Sequence, residues 1–397
     1  MKREAVSLLG LTALLASLAL PYLTVKETRV AAGAEETLWS LLHTAPVALS
    51  MIVFAIGLLA SVLMMSLKPL RAKLVLRALA AGLLLPVLVA MLAATGDAAL
   101  AGAGHRAGRV GPSVGWWLAA GGAYILLYDA RRRARRHHDH GKRRTVAGIQ
   151  VATGIAVVAV AWLVPLDSLG VVQEYVNRGD RFWEQLGSHL VLSGVSVGGA
   201  VLIGVPLGML AFRSDRAEQP VFTVTSGLQT IPSLALFGLM IAPLAFLSRQ
   251  VPALRAVGLR GVGNAPAIIA LTLYGLLPIV RNTFVGLRSI DRGIVDAGKG
   301  MGMSRVELLT MVQLPIALPI ILTGLRITAV QTVGNAAVAA LIGARGLGNL
   351  VFQGLGQAAP DLIVLGALPI VALAVVVDRG MGAVIAAVRP GSKQGNR

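Results

Sequence analysis

The sequence predicts an all-α integral membrane protein with about ten transmembrane helices, and three observations carry that reading. Of its 397 residues, 56% are hydrophobic and only 14% charged, with a mean hydropathy of +0.76; a soluble domain holds about 25% charged residues. Apolar runs of roughly 17–25 residues, the length a helix needs to cross about 30 Å of hydrocarbon, recur along the chain. The charges sit in short segments between those runs, where juxtamembrane cations belong. A net charge of +18 invites a nucleic-acid partner, and its placement argues against one. With no cysteine, a disulfide framework, a cysteine-ligated zinc site and a thiolate nucleophile are excluded.

Taken in order, the apolar runs place spans near 5–24, 45–67, 78–94, 114–129 and 145–165, then near 189–212, 221–247, 265–284, 316–342 and 361–377. The run at 114–129 is the shortest, and 378–388 either extends the last span or lies along the interface. Lys2 and Arg3 ahead of the first run resemble the start of a cleaved leader; Pro21-Tyr22 and the length of the run predict an uncleaved anchor instead. With the N-terminus inside, 26 of the 36 Lys and Arg fall on the inner side or near inner span ends. Burying the eight cations of 131–144 would cost about 2.5–3.5 kcal/mol each, so that tract stays out of the lipid. Trp39, Trp116, Trp117, Trp162 and Trp183 all fall in outer segments or at outer span ends, where amphipathic rings favour the interface.

The chain divides around the polar segment 166–188, giving an N-terminal transmembrane extension of about five helices (1–180) and a C-terminal half (181–397) that carries the motifs. In the second half Gly194, Gly198, Gly204 and Gly208 form two small-xxx-small pairs, a spacing that lets helix backbones approach closely in lipid.

The most informative stretch is the inner loop 285–315, which reads DAGKGMGMSRVELLTMVQLP from Asp296 to Pro315. Asp291 can start a first helix; Gly298, Gly300 and Gly302 weaken and end it. Ser304 followed by Glu307 forms a capping box for a second helix. Leu308, Leu309 and Val312 put an apolar stripe on that second helix, and Pro315 and Pro319 break the chain as it re-enters the membrane. A short helix with one apolar face at the membrane surface suits docking into a groove on another protein.

The loop resembles the coupling motif of ABC-importer permeases: Glu-Ala-Ala, three residues, Gly, nine residues, then Ile-x-Leu-Pro. Asp296, Ala297, Gly298, Gly302, Val312, Leu314 and Pro315 stand at those positions with the full spacing; Asp replaces Glu, and Gly298 replaces the second Ala. The runs HLVLSGVSVGGAVLIGVPLG, QTIPSLALFG, PAIIALTLYGLLPIVRNTFVGL and LPIALPIILTGLR, together with IGARGLG, resemble the permeases that import osmoprotectants such as glycine betaine, choline and carnitine. Arg345 stands where that family has glycine, and the first half resembles the extension of long-form members.

That resemblance implies a five-span type I permease core in the bacterial inner membrane, two copies of which form the pathway. It implies a cytoplasmic ABC ATPase docked on Asp296–Pro315, Ser304 and Glu307 included, and a periplasmic or extracellular solute-binding protein that delivers the solute. The surrounding lipid completes the list of partners. ATP hydrolysis belongs to the partner, so the chain is expected to hold no catalytic residue, cofactor or metal of its own. An amino-acid permease, an ion-coupled secondary transporter and a membrane-embedded enzyme are the competing readings. Intramembrane carboxylates would favour the second, and the third lacks a candidate catalytic set.

Other signals are weaker. Gly293–Gly300 reads GIVDAGKG, close to a phosphate loop but without the Ser or Thr that holds magnesium. His137, His138 and His140 with Asp139 could ligate a metal, but the tract reads as a solvated basic loop. Arg281, Arg326, Asp378 and Arg379 lie near inner span ends, where pairing or snorkelling is expected. Tyr274 is the one mid-span tyrosine of the second half, too few aromatics for a cage around a quaternary ammonium; tight recognition then belongs to the solute-binding protein.

Overall fold

Within a bilayer the backbone must satisfy its own hydrogen bonds, so apolar runs of spanning length fold as helices. In the computed structural model, which describes residues 5–28, 31, 33–42, 45–66, 73–102, 108–135, 140–256 and 258–389, seven helices are long and apolar enough to cross a membrane. Two further apolar helices are shorter, and in the helix over Val114–Arg135 Trp, Tyr and charged residues dilute the apolar ones. The chain forms two units, Met1–Asn177 with Ala358–Asp361, and Arg178–Gln357 with Leu362–Arg397.

The first unit holds α1 (Ala5–Ser17), α2 (Ala45–Ser66), α3 (Lys73–Gly102), α4 (Val114–Arg135) and α5 (His140–Leu163). Helix α3 packs against α2, α4 and α5, and α1 packs against α4 around Leu14, Leu84, Leu88 and Met91. Buried Asp129 is satisfied by Ser7 Oγ at 2.5 Å and Arg133 Nε at 2.6 Å. The first span is corrected here: α1 ends at Ser17, and Pro21-Tyr22 lead into a three-stranded antiparallel sheet. Its strands are β1 (Leu23–Lys26), β2 (Ala34–Glu36) and β3 (Arg109–Pro112), in the order β2-β1-β3 with Leu23 opposite Glu36 and Pro112. Pro21 fixes its own φ and keeps its predecessor out of the helical region, which stops α1 from continuing.

The second unit holds most of α6 (Gly170–Arg213), whose backbone leaves helical geometry at Arg178. It continues through α7 (Asp215–Thr230), α8 (Ser233–Gln250), α9 (Pro252–Ala256), α10 (Asn264–Arg288) and α11 (Arg292–Gly300). Then α12 (Arg305–Glu307) runs through a π-helical segment, Leu308–Gln313, into α13 (Leu314–Val338), followed by α14 (Gly348–Gly356) and α15 (Pro360–Val388). The run 221–247 is therefore two helices rather than one span. Ile231 is extended (ψ 125°) ahead of Pro232, as a residue before proline should be. Of the two small-residue pairs only the second packs within the chain. Gly204 meets Ile279 and Gly208 meets Thr283 on α10, with Gly199 against Thr272, whereas Gly194 and Gly198 have nothing within 4 Å of where a Cβ would sit.

Candidate functional site

The loop between α10 and α13 is built from local capping chemistry. Asp291 Oδ1 accepts from the Gly293 N–H at 2.7 Å and starts α11. At the other end Met303 N–H reaches Gly298 O (3.2 Å) and Gly302 N–H reaches Lys299 O (2.9 Å), the paired bonds of a Schellman closure. That closure needs a left-handed residue, and Gly302 supplies it at φ +78°. The chain then turns into α12 through a complete capping box. Glu307 Oε2 accepts from Ser304 N–H at 2.8 Å, and Ser304 Oγ accepts from Glu307 N–H at 3.3 Å. The segment 293–300 is thus helical, not the open loop a phosphate cradle requires.

The predicted residues divide into two sets. Asp296, Ala297, Gly302, Ser304, Glu307 and Pro315 are exposed, and Asp296 pairs with Lys299 at 3.2 Å. Gly298 is buried, with Val312 and Leu314 half-buried. A Cβ on Gly298 would sit 2.6 Å from Leu308 Cδ1, so the absence of a side chain there is what lets Leu308 reach the core.

Two expectations are corrected. Leu308 and Leu309 do not form an outward stripe; both are buried. Leu309 joins Leu287, Ile290, Ala317 and Ile321 in one cluster, with Val205, Met209, Phe212, Val295 and Leu314 packed against it. The outward apolar side chains are instead Ile294, Met301, Val306 and Met311, between 44% and 76% exposed; the sequence reading did not single them out. Nor do Pro315 and Pro319 break the chain. The helix continues from Arg305 to Ile342: a π turn, in which Leu314 N–H bonds Leu309 O five residues back, leads into α13, where Pro315 stands in the first turn and Pro319 is accommodated inside the helix.

Elsewhere in this unit Arg326 and Asp378 form a bidentate ion pair between α13 and α15, with both hydrogen bonds at 2.7 Å. Arg281 and Arg379 are exposed. The Tyr274 hydroxyl lies 3.5 Å from Gln229 O on α7 rather than in an aromatic cage. At the end of α10 away from the loop, Arg345 is held by Asn264 Oδ1 at its N–H (2.8 Å) and by Glu184 at its guanidinium (3.3 Å). Gln185 Oε1 accepts from Gly346 N–H (2.8 Å) and Asn349 Nδ2 (3.1 Å). The arginine that departs from the glycine-rich run therefore ties that loop to α6. His137, His138 and Asp139 lie outside the described residues.

The chain can now be set beside known proteins. Residues 200–390 match the family described as binding-protein-dependent transport system inner membrane component. Residues 2–172 match the N-terminal domain of the ABC transporter permease YehY. The carnitine transport permease protein OpuCB of Listeria monocytogenes is 40% identical over 212 residues, 53% of this chain and 90% of that protein. The osmoprotectant import permease protein OsmW of Salmonella typhimurium is 44% identical over 190 residues, 48% of this chain and 83% of that one. A solved inward-facing MetNI methionine ABC transporter aligns with a TM-score of 0.46 and 24% identity, over 53% of this chain and 96% of that one. The chain belongs to the family of binding-protein-dependent ABC importer permeases, multi-pass inner-membrane transport subunits that work with a separate ATPase and a solute-binding protein.

Proposed function

We propose that this permease imports an osmoprotectant carrying a trimethylammonium group, such as glycine betaine, choline or carnitine. The ATPase partner takes hold of Asp296–Pro315, and two copies of the chain form the pathway in the lipid bilayer. The substrate class is supported by relatives named for carnitine and osmoprotectant transport, matched over 83% to 90% of their own length.

One observation carries the coupling role. The loop that bears the motif residues shares a single apolar cluster with α6, α10 and α13. A displacement of the loop must therefore move three membrane helices, since a close-packed cluster does not deform continuously. The grip falls on Ile294, Met301, Val306 and Met311, exposed apolar side chains, two of them with methionine's adaptability. Reconstitution with the ATPase and the solute-binding protein tests the assignment. ATP-dependent uptake of labelled choline or glycine betaine, competed by carnitine and not by methionine or histidine, is the expected result. Competition by the amino acids alone, or uptake without ATP, would overturn it.

A further inference from the structure

We infer that the exposed face of α7 is a wall of the aqueous path that the solute follows through the membrane. The depth of α7 is fixed by its contacts along α10, a helix of membrane-spanning length and hydropathy. At one end Glu218 pairs with Arg288, the last residue of α10, at 3.4 Å. Further along, the Phe222 and Phe284 rings meet edge to face at 5.2 Å. At the other end Gln229 Nε2 donates to Tyr274 O at 2.9 Å. These contacts climb α10 from Arg288 to Tyr274, about 21 Å at 1.5 Å per residue. Helix α7 therefore lies within the bilayer, beside the inner half of α10.

One strip of its open side is polar. Gln219, Thr223, Ser226 and Thr230 are all exposed, and their spacing of four, three and four residues sets them within about 60° of the helix circumference. A shallow, open depression of about 510 Å³ lies along this side, bounded by Asp215, Glu218, Gln219, Phe222, Thr223 and Ser226 of α7. The exposed stretches of three other helices of this unit are apolar, as lipid requires: Val191, Val195 and Leu202 on α6, Leu234, Leu239 and Phe246 on α8, and Val371, Val375 and Val376 on α15. Hydroxyl and amide groups turned into hydrocarbon would lose their water without compensation. The stripe therefore faces water or another protein surface. A dry seam between two copies about a two-fold axis is disfavoured, because it would bring exposed Asp215 against its own copy, like charge against like.

The chain contains no cysteine, so single cysteines report directly. The permease complex with its ATPase, reconstituted in liposomes, is treated with a membrane-impermeant thiosulfonate, which reacts with thiolate in water and not with a thiol in lipid. Thr223→Cys and Ser226→Cys are expected to react at least about tenfold faster than Val224→Cys, a position that is itself 62% exposed but points away from the stripe. Equal rates at all three positions would overturn the inference. So would unreactive cysteines at 223 and 226 that instead cross-link two copies of the chain, since that places the stripe in a protein seam. The inference rests on the proposed function only for the identity of the passing solute. Labelling reports water at these positions whether or not an osmoprotectant is transported.

Discussion

Gly302 is the position where a single added carbon should separate insertion from transport. Its φ of +78° is a conformation in which a Cβ crowds the backbone, at about 1–2 kcal/mol for a residue other than glycine. No atom lies within 4 Å of where that Cβ would sit, so the cost is conformational alone and the membrane helices are untouched. A penalty of that size shifts the population of the closed turn roughly 5- to 30-fold. Asparagine visits the left-handed region several-fold more often than most residues, and β-branched residues avoid it. Uptake per ATP hydrolysed, in proteoliposomes supplied with the solute-binding protein, should therefore fall in the order Gly302, Asn, Ala, Val. The amount of each variant in the membrane fraction should stay level. Wild-type coupling in a correctly inserted Gly302→Val protein would refute the reasoning, and so would equal losses for Asn and Val.

Three further outcomes follow from neighbouring contacts. Ser304→Ala removes the acceptor for Glu307 N–H and should loosen the start of α12 by about 1 kcal/mol; faster amide exchange at 305–308 is the readout, whereas Glu307→Gln, which still completes a capping box, should change little. Met301→Asp combined with Met311→Asp should abolish co-purification of the ATPase while leaving thermal unfolding of the permease unchanged, because both side chains are exposed (76% and 68%). Arg326→Gln leaves Asp378 without its partner between two membrane helices and should cost about 2–3 kcal/mol, seen as a lower Tm in detergent; Asp378→Asn in the same chain should recover part of the loss.

Much of the loop between α10 and α13 was legible because its chemistry is local. Asp291, Gly302 and the Ser304–Glu307 pair act over two to five residues, and such spacings are visible in a sequence. Which face of the second helix turns inward is not local. Leu309 reads as part of an outward stripe until Val205, Met209 and Phe212 are brought to its cluster from α6, far earlier in the chain. The same limit explains the glycines: Gly194 and Gly198 show the same spacing as Gly204 and Gly208, and only the position of α10 tells the pairs apart. Two misses did leave a signal. Pro232 marks the end of α7, and Gln219, Thr223, Ser226 and Thr230 recur at helical spacing, but the apolar average over 221–247 concealed both. The sheet left almost none, since strands of three or four residues carry too few alternations to stand out.

The two sides of the loop are joined to the membrane helices in different ways, and that difference bears on how a grip on it can act. From Arg305 to Ile342 the helix is continuous for 38 residues, about 57 Å at 1.5 Å per residue, against roughly 30 Å of hydrocarbon. Part of it therefore stands clear of the lipid, and its first turns continue directly into α13. Proline at positions 315 and 319 would ordinarily put a joint at this place. The helix nevertheless runs on through a π turn in which the Leu314 N–H reaches back to Leu309 O, with Leu308 and Leu309 buried and Met311 exposed. The break between helices lies instead at Met301-Gly302, on the α11 side of the capping box. A partner that holds Val306 and Met311 thus pulls on α13 directly, whereas the same partner holding Ile294 acts on α11 across a turn that only glycine closes without strain. Substitutions at Gly302 should then disturb how α11 follows α13 rather than the movement of α13 itself, which is why they are expected to uncouple the protein and not to unfold it.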